Sequence, residues 1–154
     1  SCQFTCEQDP DGLAVDTLGR TSDPAIWSAG DCASFPHEGG RLRLESVGNA
    51  IDMAESVAAN MLGADRPYIA KPWFWSDQYD AKLQIAGWNA GYDRVVVRPA
   101  AKGGSAWYFA GPRLLAVDAL NDARAYMIGK RLIDAGRSPD PEAVTAVPDL
   151  KALM

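Results

Sequence analysis

Ala106-Trp107-Tyr108-Phe109-Ala110-Gly111-Pro112-Arg113-Leu114-Leu115-Ala116-Val117 reads as two strands and the turn that joins them. Residues 106–110 and 113–117 carry aromatic and aliphatic side chains that suit a pleated, half-buried surface, and only Gly111-Pro112 separates the two runs. A two-residue loop that begins with glycine suits a type II′ turn: glycine takes the positive φ of the first position and proline the negative φ of the second. The chain doubles back there, and antiparallel strands are the expected product.

Working outward, the same period of two recurs. Leu83 and Ile85 alternate with polar neighbours in 82–88, and residues 94–98 enclose three valines. On either side the period changes to 3.6. Residues 49–62 place Ala50, Ile51, Ala54, Val57, Ala58, Met61 and Leu62 on one helical face, with Asn49 as the expected N-cap and Gly63 as the stop. Residues 121–135 form a second expected helix with Ala123, Tyr126, Met127 and Leu132 or Ile133 inward and Gly136 as its stop. The order predicts an α+β domain, an antiparallel sheet flanked by helices. Upstream, residues 12–33 hold two short apolar runs; 25–29 is the expected buried strand, with Gly30-Asp31 just past its carboxyl end. Residues 35–43, with Pro36, Gly39 and Gly40, read as loop, and His37 as an exposed loop residue. Residues 64–79 read as a proline-punctuated extended segment, and Pro139, Pro141 and Pro148 mark a tail.

Composition narrows the function. Fifteen Lys and Arg are scattered among 20 acids for a net charge of −5, so there is no electrostatic footprint for nucleic acid. No apolar run approaches the roughly 20 residues that span a bilayer, and no signal-peptide pattern is present, which predicts a soluble cytoplasmic protein without a membrane partner. Cys2, Cys6 and Cys32 make no Cys-x-x-Cys, and the single histidine completes no metal-ligand spacing, so free thiols and no metal site are expected.

Three blocks stand out together: Thr21-Ser22-Asp23-Pro24-Ala25-Ile26-Trp27-Ser28-Ala29-Gly30-Asp31, Glu45-Ser46-Val47-Gly48-Asn49-Ala50, and Pro72-Trp73-Phe74-Trp75-Ser76-Asp77-Gln78. In order and spacing they resemble the C-terminal third of the FAD-dependent ferredoxin and rubredoxin reductases of the putidaredoxin reductase type. The stretches Gly91-Tyr92-Asp93-Arg94-Val95-Val96-Val97-Arg98 and Leu114-Leu115-Ala116-Val117-Asp118 resemble the same family, so the likeness covers almost all of residues 12–135.

The resemblance implies that residues 1–48 are the end of an FAD-binding domain and 49–154 a reductase C-terminal domain. It implies FAD contacts at Gly30, Asp31, Val47 and Trp75, with Glu45 near the nicotinamide carboxamide of NAD(P)H. A carboxylate past a strand end, like Asp31, accepts hydrogen bonds from ribityl hydroxyls where glycine lets the backbone come close; read alone, it is sooner a turn residue capping nearby amides. Residues 46–49 lead into the first expected helix, whose free amides and positive dipole end would face the pyrimidine edge of the flavin with the Val47 backbone bonding the ring, or which is an ordinary surface helix with an ordinary cap. Glu45 alone is a solvated charge, and Trp75, like Trp73 and Phe74, alone is a packing aromatic. Leu42 departs from the family, which carries an aromatic near that point.

The chain holds no Gly-x-Gly-x-x-Gly, whereas a flavoprotein of this type needs one for FAD and another for NAD(P)H. The expectation is therefore a fragment, inactive and free of flavin by itself, of an enzyme that passes electrons from NAD(P)H through FAD to a [2Fe-2S] ferredoxin or a rubredoxin. Two alternatives stay open: a cofactor-free module for dimerisation or partner docking, and a flavoprotein with another acceptor, apoptosis-inducing-factor-like or nitrite-reductase-like.

Overall fold

The computed structural model describes residues 8–9 and 12–154, which fall into two compact units, one ending at Lys71 and one spanning Pro72–Met154. The sequence reading puts a boundary at 48/49; the contacts put it at 71/72, because the helix that follows residue 46 contributes Met53 and Val57 to the core of the first unit.

In the second unit, strands β5 (Trp73–Gln78), β6 (Ala81–Gly87), β7 (Arg94–Ala100), β8 (Gly103–Ala110) and β9 (Arg113–Leu120) form one antiparallel sheet in the order β5-β6-β9-β8-β7. The hairpin expected at Gly111-Pro112 is present: Ala110 pairs with Arg113, and Gly111 has φ +52°. The proline-punctuated segment ends in a strand, since residues 73–78 pair along their whole length with β6. Ser105, Trp107 and Phe109 of β8 are buried, as are Leu114, Val117 and Ala119 of β9, and helix α2 (Ala123–Asp134) packs over them. Gly129 allows the close approach, because a Cβ there would lie 2.6 Å from a Val117 methyl.

Asp122, not Asn121, caps α2: its carboxylate accepts from the Ala125 amide at 3.0 Å. Asn121 sits at φ +49° and ties β6 to the turn before β8, accepting from the Lys82 amide at 2.8 Å and donating to the Lys102 carbonyl at 3.3 Å. The helix consequently buries Ala125, Tyr126, Ile128, Gly129 and Leu132, while Ala123 and Met127, expected inward, are exposed.

The proline-rich tail is also ordered. Helix α3 (Pro141–Ala146), capped by Asp140 with Pro141 in its first turn, buries Val144, and a 3-10 turn at Leu150–Leu153 buries both leucines. Arg98 of β7 holds this segment. Its guanidinium donates to the carbonyls of Val144 (2.6 Å), Val147 (2.8 Å) and Pro148 (3.2 Å), taking up acceptors that a helix C-terminus leaves without partners. Arg94 adds an exposed ion pair to Glu142 at 2.7 Å.

The first unit has a sheet in the order β1-β2-β3-β4, from Gln8–Asp9, Gly12–Ala14, Ala33–His37 and Gly40–Arg43; β2 and β3 are parallel and the other pairs antiparallel. Residues 25–29 are not the expected strand. Asp23 accepts from the Ala25 amide, Ile26 bonds back to Asp23 and Thr21, and a lone bridge between Arg20 and Trp27 is all the pairing this turn makes. Residues 35–43 in turn are a hairpin rather than a loop, because Glu38 (φ +44°) and Gly39 (φ +81°) supply the two positive φ angles of a type I′ turn. Phe35 and Leu42 pair across it and both face the core, while half-exposed His37 closes it opposite Gly40. Pro36 is tolerated next to that closing pair, where no ladder donor is required.

Helix α1 (Val47–Met61) starts two residues before the expected position, with Ser46 as N-cap and Gly63 (φ +89°) just past its end. It buries Gly48, Asn49, Met53, Val57 and Asn60. Of the face expected inward, Val57 alone is fully buried; Ile51, Ala54, Ala58, Met61 and Leu62 are exposed. Cys32 is a free, exposed thiol, and Cys2 and Cys6 lie outside the described residues. Among the described residues no helix is long and apolar enough to cross a membrane.

The clasp on α3 gives a prediction. Arg98→Met keeps much of the aliphatic stem and leaves three carbonyls without their donor, so it should lower the stability of the protein by about 2 kcal/mol. Hydrogen exchange should show faster exchange in residues 141–154 first; unchanged protection there would deny Arg98 this role.

Candidate functional site

The first two sequence blocks meet in the first unit. Extended Ala29 leads into a 3-10 turn, Gly30–Cys32, in which Gly30 has φ +74° and is buried. A Cβ at Gly30 would lie 3.4 Å from both Cα and Cβ of Ala50, so this turn rests on the first turn of α1. Asp31 follows, exposed. Its carboxylate makes no hydrogen bond or ion pair among the described residues, and it caps no amide.

Two residues past the end of β4 lies Glu45, whose carboxylate takes a 2.7 Å contact from Arg43 Nη2. The same guanidinium donates through Nη1 to the Asp31 carbonyl at 3.2 Å. The sequence reading does not single out Arg43. The signal was there in Arg43-x-Glu45, since residues two apart on an extended chain share a side.

Ser46, in extended conformation, turns the chain into α1, and its Oγ accepts from the Asn49 amide at 3.2 Å. The amides of Val47 and Gly48 are then left without partners among the described residues, as a helix start dictates, and the Val47 side chain is exposed. Asn49, expected as the N-cap, lies inside the first turn and is buried. Its Nδ2 donates to the Leu44 carbonyl at 3.0 Å, and its Oδ1 accepts from Tyr68 Oη at 2.9 Å. Burial, with a smaller contribution from the Asp52 charge, pushes the Tyr68 hydroxyl up to about 12, so it stays a donor at any ordinary pH.

Among the described residues this arrangement offers one unengaged carboxylate acceptor, two free amide donors at the positive end of a helix, and a second carboxylate paired with a guanidinium. A ligand with hydroxyls on one part and an electron-rich ring edge on another suits that set.

Trp75 belongs to the second unit. It lies on edge strand β5 opposite Gln84, 40% exposed, stacked on Trp73 with ring centroids 5.3 Å apart and planes 17° from parallel. It is not among the buried core residues of its unit. Leu42 points into the core of the first unit.

Known proteins bear on the chain as follows. Residues 73–154 match the family model described as "Reductase C-terminal". Rhodocoxin reductase of Rhodococcus erythropolis is 43% identical over 135 residues, covering 85% of this chain and 32% of its own. A ferredoxin–NAD(P)(+) reductase of a Sphingomonas species is 44% identical, covering 84% of this chain and 33% of its own. The chain thus spans about a third of the length of these relatives. Among solved structures, a ferredoxin reductase from Rhodopseudomonas palustris superposes with a TM-score of 0.89 at 39% identity, over 97% of this chain and 38% of that one. The covalent putidaredoxin reductase–putidaredoxin complex gives 0.87 at 35% identity, over 97% and 37%.

The chain Leu44–Asn49–Tyr68 is testable by itself. Asn49→Ala strands a buried carbonyl and a half-buried hydroxyl and should destabilise the protein by about 1 to 3 kcal/mol. Tyr68 holds its proton more tightly folded than unfolded, so its contribution is complete below about pH 10 and declines as pH rises from there towards 12. Denaturation midpoints measured from pH 9 to 11.5 should fall more steeply for the wild type than for Tyr68→Phe; parallel curves would contradict the assignment.

Proposed function

This chain belongs to the family described as reductase C-terminal, and from that premise we propose that it is the C-terminal part of a flavoprotein that oxidises NAD(P)H and passes the electrons through FAD to a [2Fe-2S] ferredoxin. The unit ending at Lys71 is read as the close of an FAD-binding domain, and Pro72–Met154 as the reductase C-terminal domain. The observation that carries the reading is the Asp31 carboxylate. It is exposed on a glycine turn packed against a helix start, and it satisfies nothing among the described residues. A residue kept only to cap its own turn would be bonded to that turn's amides.

Each residue then has a part. Gly30 lets the backbone approach, and Asp31 accepts from the ribityl hydroxyls. The Val47 amide donates to the pyrimidine edge, where the α1 dipole favours negative charge by about 0.3 to 2 kcal/mol. Glu45 accepts from the nicotinamide carboxamide. Trp75 supplies an aromatic face for the electron-transfer step to the ferredoxin, in keeping with its partial exposure and with its stacking on Trp73 rather than burial. Bound FAD supplies the step from two-electron hydride acceptance to one-electron transfer. A ferredoxin rather than a rubredoxin is favoured as acceptor by the names of several relatives at 39 to 44% identity, which are ferredoxin reductases.

The test is to purify the protein encoded by the complete reading frame that holds this sequence. It should be yellow, oxidise NAD(P)H and reduce a [2Fe-2S] ferredoxin; the 154 residues alone should be colourless and inactive. Stoichiometric flavin on the 154-residue chain, or no NAD(P)H oxidation by the complete protein, would refute the reading. In the complete protein Asp31→Ala should weaken FAD retention roughly tenfold or more, the loss of hydrogen bonds to a charged acceptor. Trp75→Phe should leave the fold and the NAD(P)H half-reaction near normal and slow the ferredoxin half-reaction below saturation. Equal ferredoxin rates would return Trp75 to packing.

A further inference from the structure

We infer that Arg43 is a positioning residue for the NAD(P)H half-reaction: it fixes the Glu45 carboxylate relative to the Asp31 turn and so couples the place where the nicotinamide is held to the place where the flavin is held. The inference rests on the reading of Asp31 and Glu45 given above.

The geometry begins at β2. A Cβ on Gly12 would lie 2.9 Å from Arg43 Cδ and 2.8 Å from the Cys32 carbonyl oxygen, so the glycine leaves a groove into which the aliphatic stem of Arg43 fits. Arg43 itself is the last residue of β4, in register with Ser34 of β3, so its backbone is fixed by the sheet. From there the planar guanidinium divides its donors. Nη1 reaches the Asp31 carbonyl at 3.2 Å, and Nη2 reaches Glu45 Oε1 at 2.7 Å.

Lysine cannot do both with one ammonium group in that fixed fork, whereas a guanidinium holds two acceptors at a set separation. Glu45 lies between the end of β4 and the N-cap of α1, its side chain 60% exposed, and among the described residues its ion-pair partner is Arg43. Without Arg43 the carboxylate would sample several rotamers. With it, one oxygen is occupied and the other faces a ligand in a single orientation. The guanidinium also offsets a negative charge that would otherwise stand close to the electron-rich edge of a reduced ring.

An exposed ion pair of this kind contributes little to stability, so a merely structural role predicts almost no effect of removing it. The positioning role predicts a kinetic one. In the complete flavin-loaded protein, Arg43→Met should raise KM for NAD(P)H roughly tenfold in the flavin-reduction half-reaction, the scale of one charge-assisted contact, with the ferredoxin half-reaction and thermal midpoint near wild type. Arg43→Lys should restore part of the loss. The double variant Arg43→Met, Glu45→Gln should be no worse than Glu45→Gln alone, since Arg43 acts through that carboxylate. A raised KM in Glu45→Gln beside an unchanged KM in Arg43→Met overturns the inference and leaves the site reading standing. An unchanged KM in both overturns the assignment of Glu45 and the inference with it. Additive losses in the double variant also overturn it, because Arg43 would then act independently.

Discussion

Every buried backbone donor or acceptor outside a regular element has to find a partner, and at several key places in this protein side chains from neighbouring elements provide it. Asn60 in the last turn of α1 shows the device most fully. Its Nδ2 donates to the carbonyls of Leu18 and Arg66, and its Oδ1 accepts from the Arg66 amide, so one buried amide side chain fastens the segments before and after α1 to the helix. Asn49 does the same at the other end of α1, and Arg98 does it for the C-terminal segment of the second unit. No buried side-chain nitrogen or oxygen among the described residues is left without a partner.

This requirement decides how α1 rolls. The apolar stripe through Ile51, Ala54, Ala58 and Met61 is the face a hydrophobic-period argument turns inward, and burying it against the sheet would have contributed about 25 cal/mol for each Å² removed from water. The face actually buried carries Asn49 and Asn60. Turning them outward would strand the Leu44, Leu18 and Arg66 backbone groups, each at about 1 to 3 kcal/mol. Apolar periodicity alone therefore misreads this helix. The two asparagines, spaced eleven apart on one helical face with Met53 and Val57 between them, were the legible signal that polar residues formed the inner side.

The sheet of the second unit was readable for a related reason: its strands are satisfied by one another. Alternation, valine runs and the Gly111-Pro112 turn specify ladder partners within the segment, and no distant side chain is needed to complete them. Where pairing depends on a partner far along the chain, local pattern is weaker. Residues 25–29 look like a strand by composition but are claimed by the Asp23 and Thr21 turn. Residues 35–43 look like a loop because Pro36, Gly39 and Gly40 are counted as breakers, although two of the three serve a tight hairpin. At the tail, three prolines signal irregular backbone without revealing that Asp140-Pro141 starts a helix clasped by an arginine more than forty residues earlier. The site blocks were visible as text, but the link between them was not. That link is Arg43, and its stem depends on the absence of a side chain at Gly12, thirty-one residues upstream.

The same logic explains why these side chains can serve as a site. Groups that bind must be left over once folding has satisfied everything else, yet must be held still. Among the described residues Asp31 and the first amides of α1 are left over, while the elements that carry them are fixed. Gly30 rests against Ala50, Ser46 caps the helix, and Asn49 pins its first turn to Leu44 and Tyr68. A residue with a side chain at position 30 would meet Ala50 at contact distance but would have to adopt φ +74°, so enlarging this residue strains the turn that presents Asp31. The freedom of the acceptor and the rigidity of its support come from the same contact. Preorganisation of this kind lets exposed polar groups discriminate among ligands without paying again for their own ordering.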